Sequence, residues 1–166
     1  MPSPNLHFYP ISINEIPLLR ELAFKIFNET YKNLLTEHQI EYMLEMMYSE
    51  ASLKKNFVDG CLFFLLKYEN ENIGYGSISV DNEIVTLHKI YVDGRFQGVG
   101  FGKDFILFLE KKGIEMKGKT IQLYVKRDNP AKLFYEKMGY LAIKEVDKNI
   151  GNGYWMNDFL MEKKLN

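Results

Sequence analysis

The chain has 166 residues, of which 46% are apolar; this is enough for one buried core and too little for two ordinary domains. We therefore predict a single domain over residues 1–166. With 21 Lys and Arg against 22 Asp and Glu, the net charge is −1, so no global field favours nucleic acid or an anionic membrane surface as a partner.

The front of the chain is predicted to be helical. Apolar residues at helical spacing indicate an amphipathic helix over residues 12–28, with Ser12 as its cap and Glu15 completing a capping box. A second helix is predicted over 36–48, and its methionine-rich stripe is interpreted as packing. A short helical turn is expected over 49–57.

Polar breaks divide the rest of the chain into strands and helices. The predicted strands are 61–67, 73–80, 84–92, 120–126, 140–146 and 154–163. The predicted helices are 100–112 and 130–138, and a loop is expected over 148–153. This order indicates a mixed α/β (α+β) fold whose first strands form an antiparallel meander.

The one cysteine, Cys61, excludes an intrachain disulfide and is interpreted as a core residue. The apolar run at 61–66 is far shorter than the roughly 20 residues that span a bilayer. Residues 1–5 lack the basic-then-apolar order of a secretion signal. We expect a cytoplasmic protein that does not cross a membrane.

A glycine-rich loop between a predicted strand and an apolar helix points to an anion site. Gly98, Gly100 and Gly102 lie in this loop. A turn without Cβ atoms lets backbone N–H groups converge on an anion, and the helix dipole favours a phosphate there. A connection selected only for tight packing is the alternative interpretation.

The register of the loop excludes two common nucleotide motifs. A P-loop would need glycine at Gln97 and a hydroxyl at Asp104, and the dinucleotide fingerprint would need glycine at Lys103 or Phe105. The pattern that remains is Q-x-x-G-x-G.

With that motif the sequence resembles the GNAT superfamily of N-acetyltransferases, whose Q/R-x-x-G-x-G/A pattern is matched by Gln97, Gly100 and Gly102. The strand at 87–92 and the segment AKLFYEKMGY at 131–140 also resemble that family. Segments 27–31 and 151–158 are similar to its bacterial polyamine (spermidine/spermine) acetyltransferase branch. The resemblance implies a mostly antiparallel central sheet with a splayed pair of parallel strands, flanked by helices.

The resemblance also implies acetyl-CoA as cosubstrate. The loop residues that would bind its pyrophosphate are Gln97, Gly98, Val99, Gly100, Phe101, Gly102 and Lys103. The backbones of Ile90, Tyr91 and Val92 would hydrogen-bond to its pantetheine arm. Asn129 is a further candidate contact, although the family's asparagine position is occupied here by Asp128.

Tyr135 falls at the family position whose phenol lies beside the thioester sulfur. It is the candidate general acid, because a phenol with a pKa near 10 can return a proton to a leaving thiolate; a core aromatic is the alternative. His88 occupies a position where relatives carry a glutamate base, and Glu83 is the reserve. A structural role for His88 is equally open. No metal site is predicted, because no ligand spacing surrounds the histidines.

The implied reaction is direct acetyl transfer in a ternary complex to a primary amine, either a small molecule such as a polyamine or a peptide. Candidate acceptor contacts are Tyr31, Glu29 and Tyr154. The carboxylates of Glu29, Glu37 and Asp158 would complement a cationic amine, with solvated surface charge as the alternative.

Two other functions stay open. A non-catalytic acyl-CoA sensor would keep the loop without needing Tyr135, and the loop alone would also suit nucleotide binding. A homodimer through the aromatic C-terminal strand at 154–163 is a further expectation.

Overall fold

A seven-stranded sheet forms the centre of the computed structural model, which describes residues 2–166. Its strands are β1 (Leu6–Ile11), β2 (Leu62–Tyr68), β3 (Glu71–Asp81), β4 (Ile84–Val92), β5 (Thr120–Lys126), β6 (Leu141–Gly151) and β7 (Tyr154–Lys164). The helices are α1 (Ile16–Tyr31), α2 (Glu37–Tyr48), α3 (Glu50–Val58), α4 (Phe101–Glu115) and α5 (Ala131–Lys137), with short 3₁₀ turns at Ile13–Glu15 and Gly94–Phe96. The predicted α/β class is confirmed.

The strand order is β1-β2-β3-β4-β5-β7-β6, and every neighbouring pair is antiparallel except β4 and β5. The parallel strands β4 and β5 pair only where residues 84–86 lie beside residues 120–122. Beyond these residues the two strands diverge. The splayed parallel pair that the family resemblance implied is therefore present, and it leaves one edge of β4 open from residue 87 onward.

Helices cover both faces of the sheet. The α1, α2 and α3 side buries residues such as Leu19, Phe27 and Leu53, and the α4 and α5 side buries residues such as Phe105 and Leu109. These side chains are almost fully excluded from solvent. The two cores fix the sheet between helical layers, so the split between β4 and β5 is held by packing on both sides.

The first helix begins and ends later than predicted. The Ser12 N–H donates to the Glu15 carboxylate at 2.9 Å, as a capping box requires, but one 3₁₀ turn precedes the regular helix. The α-helix then runs from Ile16 to Tyr31. Tyr31 therefore lies in the last helical turn, not in a loop between two helices.

Several predicted boundaries were wrong. β1 was not predicted, because its six residues include Pro10 and show no clear alternation. β6 continues to Gly151, so the loop expected at 148–153 is only the short turn before Tyr154. The end of β6 was not predicted as strand, because its residues are largely exposed and polar and show no apolar pattern. The turn expected at 49–57 is the complete helix α3.

The C-terminal strand does not lie at an edge of the sheet. β7 pairs with β5 on one side and β6 on the other. Over residues 158–162 its backbone is therefore paired on both sides, and residues 154–156 are paired with β6 alone. This corrects the expectation that the whole strand could pair with a second copy. Among residues 2–166, no helix combines the length and apolar character that crossing a membrane requires.

Candidate active site

The open edge of β4 carries the residues predicted to bind the pantetheine arm. Ile90, Tyr91 and Val92 pair with β3 on one side, while β5 has already diverged on the other. The Val92 carbonyl accepts a hydrogen bond from the Gln97 side-chain amide at 3.0 Å. Gln97 thus ties the loop to the strand, and the other outward polar groups of the strand remain for a ligand.

The glycine-rich loop has the backbone that its sequence predicts. Gly98 and Gly100 have φ angles of +80° and +92°, which side-chain-bearing residues rarely adopt, and nothing lies within 4 Å of a Cβ built at either position. Gly100 is the N-cap of α4. The N–H groups of Phe101, Gly102 and Lys103 follow in the first turn, where a helix has no internal acceptors for them. The loop therefore presents free donors to an open space.

The side chains of the loop point in different directions. Phe101 is buried against Tyr68, with ring centroids 4.9 Å apart, so only its backbone faces the anion site. Val99 is 63% exposed, and Lys103 is also exposed. Phe101 anchors α4 in the core, and Lys103 is free to add positive charge beside the loop.

Tyr135 lies on α5 between two aromatic neighbours. Its ring centroid is 5.4 Å from that of Phe134 and 5.9 Å from that of Tyr140. Burial, and then the nearby Tyr31 phenol, raises the pKa of Tyr135. The hydroxyl therefore stays protonated at neutral pH, as a proton donor must.

Asn129 lies just before α5, whose N-cap is Pro130, and closes an Asx turn with its side chain. Its Oδ1 accepts from the Ala131 N–H at 2.9 Å. Asp128, at the family's asparagine position, instead forms an ion pair with Lys126 at 2.6 Å. The side-chain oxygen of Asn129 is therefore already engaged by the first residue of α5.

His88 is the extra residue of a β-bulge in β4. Leu87 and Lys89 both pair with residues of β3, and His88 between them has no partner residue. Its Nε2 lies 2.7 Å from Ser79 Oγ. Burial, and then the charge of Lys89, lowers the pKa of His88. Its imidazole is thus neutral at physiological pH and able to accept a proton.

A cavity of about 410 Å³ adjoins His88, between α1 and α2 on one side and β4 to β7 on the other. Tyr31 and Tyr91 line it, and their hydroxyl oxygens are 3.1 Å apart. Burial raises the pKa of both phenols. Two of the α2 methionines, Met43 and Met47, also contribute to its wall, so the stripe interpreted as packing lines the cavity as well.

Asp158 is the buried carboxylate of this cavity. Its side chain belongs to β7, and the residue is 7% exposed. No Lys or Arg within residues 2–166 forms an ion pair with it, and burial raises its pKa despite the opposing charges of Lys126, Arg127 and Lys148. From the sequence, Asp158 could be interpreted either as a carboxylate that complements an amine or as a solvated surface charge. The sequence does not show that Asp158 lies on a strand paired on both sides, with its side chain buried.

Other predicted residues lie outside the cavity lining. The Glu29 carboxylate forms an exposed ion pair with Lys32 at 2.8 Å. Tyr154 packs against Tyr42, with centroids 5.3 Å apart. Glu83, the reserve base, pairs with Lys119 at 2.7 Å in the turn before β4. Of the predicted acceptor and base residues, the structure brings Tyr31, Asp158 and His88 into the cavity.

A larger cavity of about 590 Å³ lies at the far end of β1 and β2. Phe8, Phe64 and Phe108 contribute to its wall, and Cys61 also lines it. None of the predicted catalytic, cofactor or acceptor residues lines this cavity. The smaller cavity beside the open edge of β4 is therefore the candidate active site.

A family model described as an acetyltransferase (GNAT) domain matches residues 31–165 of this chain. The chain belongs to the GNAT acetyltransferase family. This match includes the loop, the open strand and Tyr135, and it confirms the family resemblance of the sequence.

Three relatives of this GNAT chain illustrate the similarity. The spermidine N(1)-acetyltransferase of Thermoplasma acidophilum is 28% identical over 163 residues, 93% of this chain and 94% of the relative. The ribosomal protein bS18-alanine N-acetyltransferase of Haemophilus influenzae is 31% identical over 117 residues, 68% and 77% of the two chains. The solved PaiA N-acetyltransferase of T. acidophilum, in complex with coenzyme A, superposes with a TM-score of 0.79 at 25% identity, covering 96% of this chain and 98% of that one.

These similarities extend to the activity of the GNAT chain. It is an acetyl-CoA-dependent N-acetyltransferase. The open edge of β4 and the free donors of the glycine loop fit such a cosubstrate, because an extended amide chain needs an unpaired strand edge and a pyrophosphate needs convergent N–H groups.

Proposed function

We propose that this GNAT enzyme transfers an acetyl group from acetyl-CoA directly to a primary amine, within a ternary complex. The observation that carries the proposal is the position of the open β4 edge, beside the cavity lined by His88. A cosubstrate on that edge and an amine in the cavity would meet without a covalent enzyme intermediate.

The cosubstrate contacts follow from the open backbone groups. The N–H groups of loop 98–103 bind the pyrophosphate, and the exposed Lys103 adds charge. The backbones of Ile90, Tyr91 and Val92 bind the pantetheine arm as an added strand would. Gln97 and Asn129 keep the loop and α5 in position through their observed hydrogen bonds.

Acetyl-CoA supplies the acetyl group as an activated thioester, which a neutral amine attacks. His88 takes the proton of the acceptor ammonium, directly or through one water, while Ser79 holds its Nε2. A backbone N–H on the open edge of β4 donates to the oxygen that becomes negative. Tyr135 returns a proton to the thiolate that leaves.

Cys61 is unsuited to an acetyl-cysteine route. Its thiol is buried, and burial raises the pKa of that thiol, which disfavours the nucleophilic thiolate. Cys61 lines the other cavity, at β1 and β2, and not the one that adjoins His88. Direct transfer is therefore the favoured mechanism, and Cys61→Ala is expected to retain activity.

Replacement of Tyr135 by Phe tests the assignment of the general acid. The variant removes one hydroxyl and leaves the aromatic packing, so we expect kcat to fall about 10²-fold or more while acetyl-CoA binding changes little. Thiol release gives kcat, and calorimetry gives the cosubstrate affinity.

Tyr9→Phe is the matched control, because Tyr9 is an exposed phenol on β1 and lines neither cavity. Unchanged kcat in Tyr135→Phe would remove the acid role. Tight acetyl-CoA binding by wild type without turnover on any amine would instead favour the non-catalytic sensor.

A further inference from the structure

Two of the cations beside Asp158 form their ion pairs with other carboxylates. Asp158 lies directly opposite Lys126 of β5 and Val146 of β6 in the two strand ladders. Yet Lys126 forms its ion pair at 2.6 Å with Asp128, a residue that does not line the cavity. The carboxylate that lines the cavity is left with no ion-pair partner in the described chain.

The neighbouring arginine is also neutralised elsewhere. Arg127 pairs with Glu145 at 3.0 Å and with Asp147, both exposed carboxylates of β6. Lys148 is the remaining cation whose charge acts on Asp158. Within residues 2–166 it forms no ion pair, and it lines the same cavity.

Lys148 and Asp158 share one face of the sheet. Val146, opposite Asp158, is two residues before Lys148 on β6, and side chains two residues apart in a strand point to the same side. Asp158 and Lys148 are thus diagonal neighbours, roughly 7 Å apart at Cβ. Their charged ends are separate, and each is available to a group of opposite sign on one small molecule.

We propose that the acceptor of this enzyme is a small zwitterion, an amine that also carries a carboxylate, with its ammonium held by Asp158 and its carboxylate by Lys148. This inference rests on the proposed acetyl transfer and specifies its acceptor. The apolar body of the acceptor lies against Phe27, Met43 and Met47 of the opposite wall. A free amino acid with an apolar side chain has this combination of groups.

The same charges disfavour a polycation. Asp158 is the one carboxylate among the described residues that line the cavity; there Lys148 has no ion-pair partner, and Lys126 is paired with Asp128. A polyamine would bring several positive charges to a lining that is already balanced or positive, and like charges at close range reduce affinity. The acceptor of the spermidine-acetylating relative therefore does not carry over to this cavity.

Matched acceptors test the inference. The probes are L-phenylalanine, L-leucine and L-methionine, the amides of the same amino acids, and spermidine. Thiol release is measured for each with wild type and with Lys148→Gln. We expect kcat/KM for at least one free amino acid to exceed that for its amide by roughly tenfold, as one charge-assisted contact allows.

Lys148→Gln should reduce kcat/KM for that amino acid roughly tenfold and leave its amide almost unchanged. Lys144→Gln is the control, because Lys144 is exposed on the same strand and outside the cavity lining. It should not alter the ratio of acid to amide.

The outcomes separate this inference from the proposed function. Spermidine as the best acceptor, or an acid-to-amide ratio that Lys148→Gln does not change, would overturn the zwitterion while acetyl transfer stands. No turnover on any of these probes would overturn the inference, whereas the proposed function would be contradicted only if peptides with free N-termini and other primary amines also gave no turnover despite acetyl-CoA binding.

Discussion

At the scale of single residues, burial shifts the pKa values of both proposed catalytic side chains. Burial raises the pKa of Tyr135, so its phenol holds a proton to donate. Burial also lowers the pKa of His88, so its imidazole stays free to accept one.

The role of His88 predicts a pH dependence. A lowered pKa keeps the imidazole neutral below the ordinary value of 6.5, so kcat/KM should fall only when pH drops through that lower pKa. His88→Gln should remove this acid limb and reduce kcat/KM about 10²-fold, the usual contribution of a general base. Thiol release measured from pH 5 to 8 gives both quantities.

His38→Gln is the control, because His38 is an exposed residue of α2. It should leave the profile unchanged. An acid limb that persists in His88→Gln would assign the base to another group, with the Asp158 carboxylate the next candidate.

Some of the site residues could be predicted from the sequence, and others could not. The loop glycines could be predicted, because a backbone with positive φ favours glycine whatever its distant contacts are. Asp158 and Lys148 could not be separated from surface charges. Their significance depends on which neighbouring cations already have partners, and that depends on the pairing of β5, β6 and β7.

At the scale of elements, the loop and α4 act as one unit. Gly100 turns the chain into the helix with a φ of +92°, and Phe101 fixes the helix start in the core. The free N–H groups depend on both. The geometry of the turn, rather than the chemistry of a side chain, therefore creates the proposed pyrophosphate site.

Gly100→Ala tests that geometry. An alanine at this φ costs about 1–2 kcal/mol, even though there is open space around its Cβ. We expect weaker acetyl-CoA binding, measured by calorimetry, together with a lower Tm. Gly94→Ala is the control, because Gly94 lies in the same connection without a positive φ and with open space around it.

Unchanged acetyl-CoA affinity in Gly100→Ala would show that the loop does not bind the cosubstrate. A lower Tm with unchanged affinity would have the same meaning, since it would demonstrate the strain without the contact. Reduced affinity in both glycine variants would point to general loosening of the loop.

The elements that the sequence predicted well have strong local patterns. Helices α1 and α2 show amphipathic spacing and explicit caps, and β4 is dense in β-branched residues. The edge strands β1 and β6 were missed or shortened, because each is stabilised by pairing with one neighbour rather than by a buried face of its own.

At the scale of the whole molecule, the sheet separates the proposed cosubstrate loop from the proposed acceptor cavity, which lie beside different helical layers. The loop that carries the free N–H groups leads into α4 on one face, and the acceptor cavity lies below α1 and α2 on the other. The gap between β4 and β5 connects them. This connection could be anticipated only from the family resemblance, since no local pattern encodes the divergence of two strands far apart in sequence.

The edges of the sheet also limit assembly. Among the strands of residues 2–166, β1 and β6 are the two at the outer edges of the sheet. A second copy that extends the sheet at an outer edge must therefore join one of these two strands rather than β7.

In the proposed mechanism both substrates occupy the enzyme together, on either side of the gap between β4 and β5. Initial rates of thiol release, measured over a grid of acetyl-CoA and amine concentrations, test it most directly. We predict double-reciprocal lines that intersect, and no acetylated protein by mass spectrometry when amine is absent. Parallel lines, accompanied by an acetyl group on the protein before amine is added, would contradict direct transfer.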